Sequence, residues 1–263
     1  MKKQIEKLKQ AKNAVILAHY YVPAEVQEIA DYVGDSFYLA KVAKQSEADV
    51  IVFCGVQFMG ESAKILNPDK KILMPNMNAD CPMAHMVADG IIEDLRKKYE
   101  DLAVVCYINS TAALKCKSDV CVTSSNAVKI VRALPNKNIF FIPDKNLGSY
   151  VAKQVPEKNI ILNDGCCPIH TKIRVDQIEI LRREHPYALI LSHPECEAAV
   201  LGISDHVGST SEIIDFARNS DSNEFIICTE NGVDDYSLEE KGFIKDFTKP
   251  IKVYENSPEL ADQ

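Results

Sequence analysis

The apolar residues of this chain fall into short unbroken runs, each closed by polar groups and followed by a helical spacing. Three such runs are alike: AVILAHYY from Ala14, LAVVCYINS from Leu102 and ALILSHPE from Ala188. Apolar character at successive rather than alternate positions predicts strands covered on both faces, as in parallel sheets. Their polar ends carry His19, Tyr20 and Tyr21 in the first, Tyr107 and Asn109 in the second, and His193 and Glu195 in the third.

The segment after each run also repeats. An acidic residue precedes a hydroxyl by five positions in Asp31 and Ser36, Asp119 and Ser124, and Asp205 and Thr210. The three hydroxyls are 88 and 86 residues apart. Helical patterns come next (SFYLAKVAKQS, SNAVKIVRAL, TSEIIDFARNS), with Ser, Thr and Asp in N-capping positions before them. Then come second strands (DVIVFCGVQ, NIFFIPDK, EFIICTE), a glycine (Gly60, Gly148, Gly232) and third short strands (KKILMP, KNIIL, PIKVY). The first two units close with Cys81-Pro82 and Cys167-Pro168, each leading to a further helical stretch, GIIEDLRKKYE and VDQIEILRREH.

Strands alternating with helices predict an α/β fold. The period predicts three pseudo-threefold-related three-layer (αβα) units of roughly 85–90 residues, with parallel sheets around a central active site. The expected boundaries are 14–100, with an N-terminal helix over 1–13 packed on it, then 101–186 and 187–263. The third unit reads as short of its final helix.

In parallel α/β sheets, ligands bind beyond the carboxyl ends of the strands. The strand-end side chains and the helix starts at Ser36, Ser124 and Thr210 should therefore face one pocket. Helix N-termini present unpaired N–H groups and a positive dipole end, which suit carboxylate or phosphate. Cys81 and Cys167 occupy equivalent points of successive units, so threefold symmetry brings them together. Two close thiols without a disulfide framework suggest zinc or an iron–sulfur cluster, or simply two buried cysteines at equivalent packing sites. In the tandem Cys166-Cys167, the repeat selects Cys167, which precedes proline.

Composition narrows the field. Of the 263 residues, 46% are apolar and 26% charged, and the net charge is -8. That balance disfavours nucleic acid or an anionic membrane as partner. Ala14 to Ala18 is too short a run for a signal core or membrane span, so a cytoplasmic protein is expected. Of the other cysteines, Cys54 and Cys106 are read as core, and Cys116 and Cys121 as flanking a turn. GxGxxG, P-loop and ExxH motifs do not occur.

The stretches LAHYYVPAEVQEIADYVGDS, ADCPMAHM, YINSTAALKCKSDVCVTSSNAVKIV, PDKNLGSYVA, GCCPIH, HPEC and VGSTS resemble the quinolinate synthase family. The resemblance runs from about residue 14 to 233. It implies a triangular three-unit fold and a transferase of NAD biosynthesis. Such an enzyme condenses iminoaspartate with dihydroxyacetone phosphate to quinolinate at a [4Fe-4S] cluster whose open iron is a Lewis acid. A separate L-aspartate oxidase or dehydrogenase would supply the iminoaspartate. By motif, Tyr21, Tyr107 and Glu195 resemble the acid–base residues. His19, Ser36, Tyr107, Ile108, Asn109, Ser124, His170, His193, Pro194, Glu195 and Thr210 resemble the substrate contacts. Cys81 and Cys167 resemble two of three cluster cysteines.

The family takes its third cysteine from the third unit, and aligning the repeats puts Ser257 there, before Pro258. A hydroxyl is a poor substitute for thiolate on iron. Cys228 and Cys196 are the weak substitutes. The rival readings are a cluster-deficient relative that only binds dicarboxylate or triose phosphate, and a zinc scaffold on Cys81 and Cys167.

Overall fold

The computed structural model describes residues 1–230 and the backbones of two later strands, 243–245 and 252–256. The first unit runs α1 (Lys2–Lys12), β1 (Ala14–His19), α2 (Ala24–Gln27), β2 (Tyr32–Gly34), α3 (Ser36–Gln45), β3 (Val50–Cys54), α4 (Gln57–Leu66) and β4 (Lys71–Leu73). The second runs α5 (Ile91–Lys98), β5 (Ala103–Tyr107), α6 (Ala112–Lys117), β6 (Val120–Val122), α7 (Ala127–Ala133), β7 (Asn138–Ile142), α8 (Lys145–Gln154) and β8 (Asn159–Leu162). The third runs α9 (Val175–Glu184), β9 (Leu189–Ser192), α10 (Ala198–Leu201), β10 (His206–Val207), α11 (Thr210–Asn219) and β11 (Glu224–Cys228), then β12 (Phe243–Lys245) and β13 (Lys252–Asn256).

Three sheets result, in the orders β2-β1-β3-β4, β6-β5-β7-β8 and β10-β9-β11-β13-β12. The first two are parallel throughout. The third departs from the expected parallel arrangement, because β13, at the predicted PIKVY strand, is antiparallel to both β11 and β12. Antiparallel neighbours need only a hairpin, whereas a parallel one needs a crossover, and β13 follows β12 as its antiparallel partner.

Edge strands β2, β6 and β10 were not foreseen, since two or three residues carry no readable period. They explain the repeated aspartates. Asp31, Asp119 and Asp205 each precede an edge strand and grip one residue of the adjoining central strand twice. Their carboxylates accept from the backbone N–H of Ile16, Val104 and Ile190 at 2.8, 2.7 and 2.8 Å. Their own N–H groups donate to the carbonyls of the same three residues at 2.9, 3.0 and 2.8 Å. The edge strand is thereby held in register so that its far end delivers Ser36, Ser124 or Thr210 to the centre.

Successive side chains of each central strand enter opposite apolar layers. Leu17, Ile51 and Phe53 pack under α3 and α4, while Ile16, Ala18 and Cys54 face α1 and α2. Val105, Ile139 and Phe141 pack against α7 and α8, while Val104, Cys106 and Phe140 meet α5. Leu191, Phe225 and Ile227 meet α11, while Ile190, Ile226 and Cys228 meet α9. Helices α5 and α9, which follow Cys81-Pro82 and Cys167-Pro168 and were expected within 14–100 and 101–186, cover the second and third sheets instead. Gly148 allows close approach of α8, as a Cβ there would lie 2.7 Å from Leu162.

Polar contacts tie each pair of units. Lys115 donates to the Phe58 carbonyl at 3.1 Å and Ser62 Oγ at 2.8 Å. Asn146 donates to the Glu195 carbonyl at 3.0 Å, and Ser211 to Asp35 at 2.6 Å. Among the described residues, no helix is long and apolar enough to cross a membrane.

Candidate active site

The carboxyl ends of β1, β5 and β9 open into one cavity of about 850 Å³, counted out to its mouth. Its wall includes His19, Tyr21 and Ser36 from the first unit, Tyr107, Ile108, Asn109 and Ser124 from the second, and His193, Glu195 and Thr210 from the third. Cys81, Cys167 and His170 complete it. Pro194 lines a neighbouring recess instead, with Ser124, Tyr150 and Ser209.

The first and third strand ends share a local device. The backbone N–H of Tyr21 points at Nδ1 of His19 at 3.2 Å, and that of Glu195 at Nδ1 of His193 at 3.4 Å. With Nδ1 as acceptor, a neutral imidazole carries its proton on Nε2. Both rings are kept neutral by burial, which lowers His193 and takes His19 down to about 4. His19 Nε2 is thus a fixed donor in the wall, whereas His193 Nδ1 also faces Glu195 Oε2 at 3.3 Å, which favours the proton on Nδ1.

Two of the three hydroxyls stand at helix starts. Asp35 caps α3 by accepting from the Tyr38 N–H at 2.8 Å, leaving Ser36 as its first residue. Ser209 and Glu212 form a capping box on α11, leaving Thr210 first. Ser124 lies in the turn before α7, which starts at Ala127.

At the centre stands Glu195, 3% exposed, with Oε2 at 3.0 Å from Nδ1 of His170 and 3.3 Å from Nδ1 of His193. Burial opposes its charge, but His170 and His193 outweigh this and hold the carboxyl well below the usual carboxylate range. Burial likewise opposes charge on His170, yet Glu195 and Cys167 push it up to about 10. The two imidazoles stack with centroids 4.8 Å apart. Oε1 of Glu195 is buried without a hydrogen-bond partner in the protein, so this carboxylate keeps an acceptor free.

Tyr21 donates to or accepts from Thr210 Oγ1 at 2.9 Å. Burial pushes its phenol, and that of Tyr107, well up from the usual tyrosine value. Both are therefore proton donors rather than phenolates near neutral pH.

Both Cys81 and Cys167 line the cavity wall. Cys81 is pushed up to about 12 by burial, with the charges of Cys167 and Glu195 adding to it. Cys167 Sγ lies 3.1 Å from His170 Nδ1. The ligand atoms of Cys167, His170 and Glu195 fall within 4.8 Å of one another, a grouping that can hold a metal ion. Cys196 and Cys228 do not line the cavity; they pack in the apolar layer under α9, and Cys196 donates to the Cys228 carbonyl at 3.4 Å. Ser257 lies outside the described residues.

Three participants were missed. Asp144 caps α8, accepts from the Leu147 N–H at 2.6 Å and the Cys167 N–H at 2.9 Å, and is raised to about 7 by burial and then Glu195. It fixes the Cys167 backbone. Its capping position after a strand was the available signal. Asp35 was equally legible as the residue before Ser36. Thr229 meets His170 Nε2 at 3.0 Å and Tyr21 at 3.4 Å; a threonine after a strand carries no such signal.

A family model described as quinolinate synthetase A protein matches residues 3–256. The chain is similar to a quinolinate synthase of Caldicellulosiruptor saccharolyticus, 56% identical over 247 residues, covering 94% of this chain and 81% of the relative. A quinolinate synthase of Caldicellulosiruptor bescii is 59% identical over 233 residues, 89% of this chain and 77% of that one. One of Aquifex aeolicus is 48% identical over 250 residues, 95% of this chain and 77% of the relative.

Proposed function

The chain belongs to the quinolinate synthetase A protein family, and we propose that its central cavity joins iminoaspartate to dihydroxyacetone phosphate. It is an enzyme of NAD biosynthesis, a transferase that makes quinolinate. The observation that carries the site reading is the convergence of Tyr21, Tyr107 and Glu195, one from each unit, on a cavity with two thiols.

The substrates bring two carboxylates and a phosphate. The Nε2 donor of His19, the hydroxyls of Ser36, Ser124 and Thr210, and the Asn109 amide suit those anions, helped by the N-terminal ends of α3 and α11. Glu195 is ionised and keeps Oε1 free, as a general base needs to take a proton during enolisation. Tyr21 and Tyr107 hold protons they can give to a carbonyl or departing hydroxyl oxygen. Iminoaspartate hydrolyses readily, so an enzyme oxidising L-aspartate must supply it.

The described donor set fits a [4Fe-4S] cluster at two points. Cys81 and Cys167 are soft ligands on one wall, and a thiol held near 12 ionises readily only beside a cation. These two would hold the cluster; all nine cysteines lie among the described residues, and the repeat-equivalent third position is Ser257. Bound there, a cluster with an open iron supplies a Lewis acid that favours loss of water. A single zinc ion on Cys167, His170 and Glu195 is the second reading, favoured by their 4.8 Å grouping.

Anaerobic purification and reconstitution, with metal and sulfide analysis and a quinolinate assay, separates these. About four iron and four sulfide per chain, with quinolinate formed from both substrates, supports the first reading. Stoichiometric zinc supports the second. A protein that binds dicarboxylate but forms no quinolinate after reconstitution would overturn the site assignment.

A further inference from the structure

A second group of cysteines lies outside the cavity, on the second sheet. Cys106 of β5 and Cys121 of β6 are register partners in adjacent parallel strands. Side chains of directly paired residues emerge on the same face of a sheet. The Cα separation of such neighbours, about 5 Å, falls inside the range a disulfide spans. The Cys106 thiol donates to the Tyr107 carbonyl at 3.5 Å, and Cys121 stands beside it in the ladder. Cys106 is fully buried, and Cys121, on the edge strand, is exposed. All nine cysteines are free thiols in this structure.

The surroundings favour negative charge on Cys106, while the neighbouring Cys106 and burial raise the Cys121 thiol. The Cys121 thiol takes Cys106 down to about 7, and Ser110, Ser118 and the Lys115 ammonium add to the effect. The Ser110 hydroxyl is fully buried and finds no hydrogen-bond partner among the described residues. Lys115 is itself buried and anchored on Phe58 and Ser62, so its charge stays beside the thiols. None of these residues lines the active-site cavity.

We propose that Cys106 and Cys121 form a dithiol site that low-molecular-weight disulfides of the glutathione class oxidise reversibly to an internal disulfide. The exposed and buried sulfurs have separate parts. Cys121, its proton passed to solvent, attacks the small disulfide RSSR; one S–S bond breaks, a mixed disulfide forms at Cys121 and RS⁻ leaves as RSH. The Cys106 thiolate then attacks the Cys121 sulfur, the Cys106–Cys121 bond forms, and the second RSH leaves. Two thiols lose two electrons and two protons, and RSSR gains them. Adjacency makes the second step intramolecular, which is what separates this pair from a surface cysteine that merely accumulates a mixed disulfide.

The neighbouring exposed Cys116 makes the test specific, because trypsin sites at Lys98, Lys115, Lys117 and Lys129 place the three cysteines in separate peptides, 99–115, 116–117 and 118–129. The protein purified under nitrogen is exposed to graded ratios of oxidised to reduced glutathione, alkylated and digested without reductant. The expected result is a 99–115/118–129 pair, two hydrogens lighter than its parts, that grows with the ratio and disappears on reduction. Cys116→Ser keeps that pair. Cys121→Ser loses it and returns the Cys106 peptide in free-thiol form. A mixed disulfide persisting at Cys121, or a Cys116–Cys121 pair, with Cys106 alkylated only after unfolding, would overturn the proposal. Because the wild type and Cys116→Ser are read directly, the outcome does not depend on how well Cys121→Ser folds, nor on the cluster or quinolinate activity.

Discussion

The hydroxyl of Tyr21, at the end of the first unit's central strand, lies 2.9 Å from that of Thr210, the first residue of the third unit's α11. The contact joins positions 189 residues apart in the chain. It holds the phenol over the cavity while burial keeps it protonated.

Tyr21→Phe keeps the ring and removes the proton. Quinolinate formation should fall by about 10²–10⁴, the usual contribution of one positioned acid. Stability should change by only about 1 kcal/mol, since one hydrogen bond is lost. Steady-state rates beside a urea titration check both; an unchanged rate would remove Tyr21 from the chemistry.

Glu195→Gln is nearly isosteric and abolishes the base while leaving a polar group between the two imidazoles. A rate loss of about 10²–10⁴ is expected, with the far-UV circular dichroism of the wild type. Near wild-type turnover would transfer the base role elsewhere.

The three aspartate clamps should be energetically equivalent. Asp31→Ala, Asp119→Ala and Asp205→Ala each leave a strand N–H without its carboxylate acceptor, costing about 1–2 kcal/mol apiece. Double substitutions should be nearly additive, because the clamps belong to separate sheets. Asparagine at the same positions keeps an acceptor oxygen and should cost less. Asp31 and Asp119 also meet Lys9 at 2.6 Å and Arg96 at 2.9 Å, but partly exposed ion pairs of this kind add little. Chemical denaturation of the set decides.

Acid should weaken the fold partly through His19. Its folded value is lowered to about 4 from 6.5, so the unfolded chain binds the extra proton as pH falls through that interval. The stabilising effect of keeping the ring neutral is complete above about 6.5 and lost progressively towards 4, with an upper bound of about 3 kcal/mol. His19→Gln should flatten the slope of unfolding free energy against pH between those limits by up to one proton. An unaltered slope would show that the ring titrates normally in the native protein.

Lys115→Met should destabilise by about 1–3 kcal/mol, because the Phe58 carbonyl loses its ammonium donor at the junction of α4 and α6. The loss should appear as a lower urea midpoint with an unchanged slope.

Much of this architecture is legible along the chain. Runs such as Val15 to Ala18 and Val104 to Cys106 are apolar at every position because both faces of each sheet are covered. That feature, with the recurrence of Ser36, Ser124 and Thr210, is enough to locate the strand ends and the cavity. The same pattern misleads at PIKVY, where it predicts a strand but not its antiparallel sense. Apolar periodicity reports burial and is blind to direction.

The sequence by itself therefore determined the three-unit α/β rhythm and the residues at the strand ends. All of these arise from local patterning and its repetition. Only the tertiary structure decided that Asp31, Asp119 and Asp205 clamp strands rather than face ligand, that Thr229 joins His170 to Tyr21, and that Cys121 partners Cys106 rather than the nearer Cys116. Such contacts depend on register and on which faces meet, and no local propensity encodes them. They are set when packing brings distant segments within hydrogen-bond reach, where burial makes each unmatched polar group costly.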